Sequence, residues 1–322
     1  MKQRMSVDVV VVNWNSGAQL RACVESVLAF GDRLVGKIIV VDNGSTDDSL
    51  NFLNSLNFLQ SGGGITLIRA GENLGFARAC NRGAAKAESE YLLFLNPDAR
   101  VMPGTLGTVC DYMNSEAAKT VGICGVKLIG EDGSAQRHCV RFPGWRTYMS
   151  SVLGLSAVFP RYFPSHFMRE FDHQDSRRVD HVMGAFFFVR RKLFEYLCGF
   201  DEQFFVYLED LDFSLRARNA GWSTYYLAEA TVFHKGGGTS EQVKAQRLFY
   251  SIRSRILYSY KHFSRPAAFF LLITTLFVEP VSRLVLALSR RSGDMALETL
   301  QGFALLWRDL PNILRTVILS GR

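Results

Sequence analysis

The chain has 322 residues, 48% of them apolar, and a formal net charge of +7. Such a composition excludes a disordered polyelectrolyte, and the length holds one large domain or a domain with an appendage. The positive excess sits late: from Ser251 to Arg322 ten Lys and Arg face four Asp and Glu, a net +6, and a basic stretch this apolar suits an anionic membrane surface rather than nucleic acid.

The first apolar run, Val7 to Val12, is β-branched and ends at Asn13-Trp14-Asn15-Ser16-Gly17. It is too short for a signal-peptide core, carries Asp8 and lacks a small-residue cleavage site, so it reads as a first strand in a cytoplasmic protein. Leu20, Cys23, Val24, Val27 and Leu28 then recur at helical spacing. Lys37 to Val41 is a second strand, closed by Asp42-Asn43-Gly44-Ser45-Thr46-Asp47. A capped helix carrying Leu50, Leu53 and Leu56 follows. Ile65 to Ile68 is a third strand, Leu74 to Ala87 a helix of small residues, and Tyr91 to Leu95 a fully apolar strand stopped by Asn96-Pro97. Strand alternating with helix at this spacing predicts a parallel, doubly wound sheet.

Beyond Gly122 the rhythm loosens. Val121 to Ile129, Val179 to Val189 and Thr224 to Phe233 read as strands, and Pro143 to Asp175 as a loop-rich lid or acceptor-facing insert. The six cysteines form no CxxC pair and read as reduced core thiols. After Gly236-Gly237-Gly238, whose backbone N–H groups suit a diphosphate or a plain junction, the chain turns helical and basic. Pro266 to Val278 is an apolar run of about thirteen residues, below the ~20 a bilayer span needs. Apolar residues at 300, 303, 307, 310, 314 and 317 mark an amphipathic helix, bent at Pro311. Three readings stay open for this tail: helices packed on the catalytic domain, monotopic attachment to an anionic leaflet, or a transmembrane hairpin. The expected domains are 1–238, catalytic, and 239–322, a basic amphipathic extension.

Four polar positions stand out together. Asp42 closes the second strand, Asp98 follows Tyr91 to Leu95, Glu209-Asp210 lies in an aromatic stretch, and His234 closes Thr231 to Phe233. Singly each has a structural alternative: a turn cap, a helix N-cap, a solvated helix face, a satisfied histidine. Jointly, acids at the carboxyl ends of buried strands stand where open α/β sheets bind ligands. A nucleoside diphosphate leaving group calls for a hard divalent cation held by a carboxylate, with an imidazole tolerated as a further ligand. A separate carboxylate deprotonates the acceptor hydroxyl. Asp98 and His234 suit the metal and Asp210 the base. Asp42 with the Asn13-Trp14-Asn15 loop suits the nucleobase and ribose.

The motifs resemble those of inverting glycosyltransferases of family 2, specifically the bacterial rhamnosyltransferase-like members. They are Val-Val-Asn-Trp-Asn-Ser (11–16), Val-Asp-Asn-Gly-Ser-Thr-Asp (41–47), Asn-Leu-Gly-Phe-Ala (73–77) with Asn81-Arg82-Gly83, Asn-Pro-Asp-Ala (96–99), Gly-Ala-Phe-Phe (184–187), Leu-Glu-Asp-Leu-Asp (208–212) and His234. The resemblance implies a GT-A fold, a Rossmann-like and mostly parallel central sheet flanked by helices, with a C-terminal helical extension. It implies that Asp42 contacts the nucleobase and that Asn73, Phe76 and Asn81 line the nucleotide-sugar pocket. Asp98 and His234 would bind Mn²⁺ or Mg²⁺, and Asp210, preceded by Glu209, would be the base. Asn96 stands where an Asp-x-Asp metal motif has its first acid, which lowers the charge of the site. The implied donor is dTDP-L-rhamnose, with UDP-hexoses as the alternative. The implied acceptor is a saccharide, free or on a polyprenyl diphosphate, in cell-envelope polysaccharide synthesis at the inner face of the plasma membrane. Two other classes compete: a sugar-nucleotide-binding protein without catalysis, against which the Glu209-Asp210 pair speaks, and a nucleotidyltransferase, whose Gly-rich basic first loop residues 13–18 lack.

Overall fold

A computed structural model describes residues 6–31, 34–55, 64–236 and 243–319. In chain order the strands are β1 (Val7–Asn13), β2 (Val35–Asp42), β3 (Ile65–Arg69), β4 (Tyr91–Leu95), β5 (Ala99–Val101), β6 (Val121–Ile129), β7 (Cys139–Val140), β8 (Arg177–Val179), β9 (His181–Val182), β10 (Phe186–Arg190) and β11 (Ser223–His234). The helices are α1 (Ala18–Phe30), α2 (Asn51–Ser55), α3 (Phe76–Ala84), α4 (Thr105–Met113), α5 (Trp145–Val152), α6 (Leu155–Val158), α7 (Arg191–Tyr196), α8 (Glu209–Asn219), α9 (Lys244–His262), α10 (Arg265–Phe277), α11 (Glu279–Ser289) and α12 (Gly293–Leu319).

The chain forms two compact units. The first takes in Met1–Arg141, Met168–Glu202 and Glu209–Thr239; the second takes in Phe142–Phe167, Gln203–Leu208 and Ser240–Arg322. The boundary expected at 238/239 lies outside the described residues. Segments 142–167 and 203–208 group with the C-terminal helices instead of the catalytic domain. The cause is visible in the bonding: Ser282 Oγ donates to the Val152 carbonyl and Ser254 Oγ to the Val206 carbonyl. A pattern along the sequence carries no sign of such long-range pairing.

In the first unit the main sheet runs β3-β2-β1-β4-β10-β6-β11-β5, with β8 also paired to β11. β3, β2, β1 and β4 are parallel, as the alternation of strand and helix predicts. β10 then enters antiparallel between β4 and β6, and β11 lies parallel to β6. The sheet is therefore mostly parallel rather than uniformly so. β1 is buried along its whole length because both faces are covered. Val7, Val9 and Val11 join Leu20, Cys23, Val24 and Val27 of α1 in one core; Val10 and Val12 join Ala77, Ala79 and Cys80 of α3 in the other. Each such valine contributes roughly 1.5–3 kcal/mol of burial. The small residues of α3 have a steric cause: a Cβ on Gly83 would stand 2.4 Å from Val10 Cγ1.

Three expectations differ in detail. The continuous strand expected from Val179 to Val189 is broken into β8, β9 and β10, because the backbone at Met183–Ala185 turns toward α8, where Gly184 N–H meets Asp210. The insert expected as loop carries α5 and α6 before its irregular part. Of the six cysteines, all free thiols, five are buried but Cys198 is exposed, with a left-handed φ of 58°. Gly237, Gly238 and Leu56 lie outside the described residues.

In the second unit α9, α10 and α12 share a core of Ile252, Ile256, Leu272, Leu276, Phe303, Leu306 and Ile313. Buried Glu279 receives Arg255 and Arg283, while Arg253 meets Asp309. Phe303 and Val317, from the amphipathic stripe of α12, point inward, and that helix continues through Pro311. Among the described residues no single helix is long and apolar enough to cross a membrane; α10 and α11 qualify only together, across a 44° bend.

Asp8, the one acid in β1, is buried and satisfied by the backbone: it accepts from the Lys37, Glu88 and Ser89 N–H groups at 2.8, 2.6 and 2.9 Å, and from Ser89 Oγ at 2.7 Å. Removing that acceptor strands three amides, each worth ~1–3 kcal/mol when buried and unpaired. Asp8→Ala is expected to lower stability by about 3 kcal/mol or more in urea denaturation; a loss under ~1 kcal/mol would show that the amides find other partners.

Candidate active site

The site lies entirely within the first unit, at the edge where the parallel strands end. β1 ends at Asn13 and β2 at Asp42, paired in register. Both side chains are buried, and Asn13 Nδ2 donates to Ser49 Oγ (2.8 Å), Ser45 Oγ (2.9 Å) and, at 3.3 Å, Asp42 Oδ1. Asn13 Oδ1 has no partner among the described residues. Asn15, with φ of 50°, accepts from Thr46 N–H, and Asp47 caps the turn that follows by accepting from Ser49 N–H. The polar loops after β1 and β2 thus form one hydrogen-bonded body. Asn73 Oδ1 accepts from Asn43 Nδ2 and Gly75 N–H. Phe76 packs against the α3-side core. Asn81 is engaged elsewhere: its Oδ1 accepts from Phe200 N–H while its Nδ2 donates to the Phe200 carbonyl and Glu202. That clamps the 199–202 loop, and the structure does not join Asn81 to the Asn13–Asp42 network.

Asp98 and His234, 136 positions apart by number, face each other: Nε2 stands 3.5 Å from Asp98 Oδ1. Strand pairing does this, because His234 lies opposite Ala99 where β11 meets β5. The ring is oriented by Gln136. Its Nε2 donates to the His234 carbonyl at 2.7 Å, which leaves its Oε1 to accept from His234 Nδ1–H, also at 2.7 Å. In the neutral ring that leaves the lone pair of Nε2 pointed at a carboxylate oxygen. Two electron-pair donors facing each other are satisfied only by a proton or a cation between them. A carboxylate and an imidazole are a suitable partial shell for Mn²⁺ or Mg²⁺. Among the described residues no group of three or more His, Cys, Asp or Glu forms such a site, so further ligands would come from the diphosphate and water.

The motif 208–212 supplies three acids with three environments. Asp212 is buried and paired with Arg216 at 2.8 Å, a structural bond. Glu209 is buried, and its Oε2 has no partner among the described residues. Burial, then the neighbouring Asp210 charge, pushes its carboxyl well above the ordinary value, which favours the neutral form. Asp210 keeps 15% of its side chain exposed. Burial alone would raise it, but His181 and the N–H groups of Leu211 and Gly184 outweigh that and hold it below the ordinary aspartate value. Both amides donate at 2.8 Å, one to each oxygen, and His181 Nε2 lies 3.5 Å from Oδ2. Ser214 Oγ contacts the other nitrogen of His181 at 2.9 Å. The result is one carboxylate with a partly open face, held in its charged form, beside a neighbour whose burial favours the neutral form.

Three connections hold the two halves together. Asn96 N–H donates to the Ala185 carbonyl at 3.0 Å, so the β4 end that leads to Asp98 is bonded to the residue after Gly184. The segment 136–138 spans both: Gln136 holds His234, and the His138 carbonyl accepts from Met183 N–H. The His138 ring donates from Nδ1 to the Gln136 carbonyl, and burial pushes its imidazole down to about 4, so it is a neutral strut. Gln136, His181 and Ser214 carry no spacing signal; nothing short of the fold identifies them.

Among solved structures the chain is similar to a mannosyltransferase from Pyrobaculum calidifontis in complex with GDP-Man and Mn²⁺, with TM-score 0.55 and 16% identity, over 99% of this chain and 87% of that one. It is similar as well to GalNAc-T7 with UDP, GalNAc and Mn²⁺, with TM-score 0.55 and 18% identity, over 72% of this chain and 43% of that one. The fold is therefore GT-A, the class that sequence motifs and sheet order both indicate. Residues 8–198 match the family described as glycosyl transferase family 2, and the chain belongs to it. A relative in Mycobacterium tuberculosis, N-acetylglucosaminyl-diphospho-decaprenol L-rhamnosyltransferase, is 28% identical over 239 residues, 70% of this chain and 75% of the relative. The O-antigen chain rhamnosyltransferase of Salmonella anatum is 28% identical over 223 residues, 66% of this chain and 60% of the relative. Rhamnosyltransferase WbbL of Escherichia coli is 30% identical over 150 residues, 46% and 53% of the two chains.

A Cβ at position 184 would stand 2.9 Å from Asp210 Oδ2. Gly184→Ala therefore displaces the carboxylate from an amide that favours its charged form. In the wild type, kcat/KM is expected to stay level until the pH falls past the ordinary aspartate value, 3.8. In the variant the carboxyl rises, so the acid limb moves to higher pH and the plateau falls at least ~10-fold. A pH–rate profile superimposable on the wild type would count against this role for Gly184.

Proposed function

We propose that the chain transfers L-rhamnose from dTDP-L-rhamnose to a hydroxyl of a saccharide carried on a polyprenyl diphosphate, with inversion at the anomeric carbon. The reaction would serve cell-envelope polysaccharide synthesis at the inner face of the plasma membrane. What supports the reading is the meeting, at one sheet edge, of an ionised carboxylate with an open face and a separate Asp98–His234 pair suited to a cation. The rhamnosyltransferase relatives support the sugar, and the decaprenol-diphosphate substrate named for one of them supports the acceptor class.

In this reading Asn13, Asn15 and Asp42 hold the nucleoside, with Asn73 bracing their loop, Phe76 closing the apolar side and Asn81 fixing the 199–202 loop beside it. Asp210 accepts the proton of the acceptor hydroxyl. The oxygen bonds to the anomeric carbon as the bond from that carbon to the diphosphate oxygen breaks, and the diphosphate leaves with the electron pair. Attack opposite the leaving group in a single displacement inverts the centre. Asp98 and His234 would hold Mn²⁺ or Mg²⁺, which when bound supplies positive charge against the departing diphosphate. Glu209, protonated, keeps a second negative charge away from the base.

Two expected outcomes separate these roles. Asp210→Asn lowers kcat more than ~100-fold, about 2.7 kcal/mol, while donor affinity by calorimetry is kept; Glu209→Gln, close in shape to the protonated acid, stays within ~10-fold of wild type. The reverse ranking overturns the base assignment. A donor panel scored by nucleoside diphosphate release tests the sugar, with turnover of UDP-hexoses but not dTDP-L-rhamnose as the overturning result. Gln136→Leu, which removes the orienting bond to His234, is expected to weaken Mn²⁺ binding ~10–100-fold in titrations without substrate. Unchanged Mn²⁺ affinity would remove Gln136 from the site.

A further inference from the structure

The second unit carries an apolar surface that its own core does not use. On α10 the side chains of Phe269, Phe270 and Phe277 are 58%, 59% and 65% exposed; on α11, Val281, Val285 and Leu288 are 58%, 60% and 76% exposed. Their spacing, with Ile273 between, follows one stripe along each helix. The opposite sides, Leu271, Leu272 and Leu276 of α10 and Ala287 of α11, are buried in the unit. Between Arg265 and Arg290 the ionisable residues are Glu279, buried, and Arg283, which is ion-paired to it. The exposed stripe thus contains no acid, and it ends in Arg265 on one side and in exposed Arg290 and Arg291 on the other. Contiguous apolar patches of this kind mark interaction surfaces rather than ordinary solvent-facing helices.

The charge pattern selects the occupant. A protein partner or a second copy meets a rim of mixed sign, whereas from Arg265 to Arg291 the sole acid, Glu279, is buried and the exposed charge is positive, the complement of anionic lipid headgroups. One-sided burial selects the mode. α10 and α11 have 13 and 11 residues, each too short to span, and their inner faces pack on protein, with the Glu279 ion pairs among them. A pair of helices wet by lipid on one side only lies in the interface. The insert adds to the same unit: α5 is bonded to α11 through Ser282, and the α6 region shows exposed Val158, Phe159 and Tyr162. The α12 stripe, which the sequence marks as amphipathic, is divided: Phe303 and Val317 are buried in the unit, while Leu300 and Trp307 are exposed.

We propose that the α10–α11 face is a membrane-docking surface that lays the chain on an anionic leaflet, its aromatic and aliphatic side chains among the acyl chains and Arg265, Arg290 and Arg291 at the phosphates. It does not rest on the proposed transfer reaction; it bears on the location of the chain, not its chemistry.

The test is co-sedimentation of the full chain with vesicles of phosphatidylcholine alone or mixed equally with phosphatidylglycerol. Wild type is expected to partition at least ~10-fold more strongly onto the anionic vesicles, the difference fading in 0.5 M salt as charges are screened. Phe269→Ser/Phe277→Ser/Val285→Ser should lose ~10-fold or more on both vesicle types. Arg290→Ser/Arg291→Ser should lose affinity for the anionic vesicles alone. All these positions are exposed, so unchanged thermal unfolding and unchanged nucleoside diphosphate release with a water-soluble acceptor show that fold and catalysis are intact. Equal binding to both vesicle types, binding insensitive to the apolar triple variant, or a vesicle-indifferent dimer in sedimentation that the triple variant dissociates would each overturn the proposal. A wild type that binds anionic vesicles but releases no nucleoside diphosphate with any donor and acceptor tried would instead count against the transferase reading.

Discussion

The antiparallel strand β10 is the constraint on which the site depends. Parallel strands all bring their carboxyl ends to one edge, and crossover helices keep their amino ends at the other. β10 breaks that rule, so its approach segment, Met183–Ala185, arrives at the edge where β4 stops. The bond from Asn96 N–H to the Ala185 carbonyl locks the two together. From there Gly184 offers its N–H to Asp210, while the chain past Asn96 presents Asp98 to His234. With β10 parallel, the Gly184 amide would lie at the far edge of the sheet.

Charge at this edge is separated by environment rather than by residue type. Glu209, Asp210 and Asp212 lie within four positions of one another, yet one is pushed toward its neutral form, one is held charged and partly open, and one is locked in an ion pair. Two adjacent carboxylates in a low-dielectric setting cannot both ionise cheaply. The amides and His181 beside Asp210 decide which one does. A buried Glu with a raised pKa beside an Asp with a lowered one is also why the pair differs from a solvated helix face, where both would be charged.

Much of this was legible along the chain. The β-branched run of β1, the stop at Asn96-Pro97, and the placing of Asp42, Asp98 and His234 at strand ends follow from periodicity and from proline's missing donor. Less was legible where the signal is distance rather than pattern. The break between β9 and β10 looks like one apolar run, because the turn at Gly184 is required by a partner 26 residues on. The helices in 145–158 have too short an apolar period to stand out, and they pack within the second unit, against elements far along the chain. The stripe on α12 announced an amphipathic helix but could not say which positions are covered: the core takes Phe303 with Leu306 and Ile313, and leaves Leu300 and Trp307 exposed.

What the sequence by itself determined is the inventory: which segments are strands, which acids end them, and the order of motifs that marks the family. Local sterics and hydrophobic period act within a few residues, so they are readable one segment at a time. The tertiary structure alone decided the pairings: Gln136 with His234, His181 and Gly184 with Asp210, Arg255 with Glu279. It alone decided the protonation of Glu209 against Asp210 and the outward turn of the α10–α11 stripe. The physical reason is that hydrogen bonds, desolvation and exposure depend on neighbours in space, and the chain acquires those neighbours only when the sheet closes.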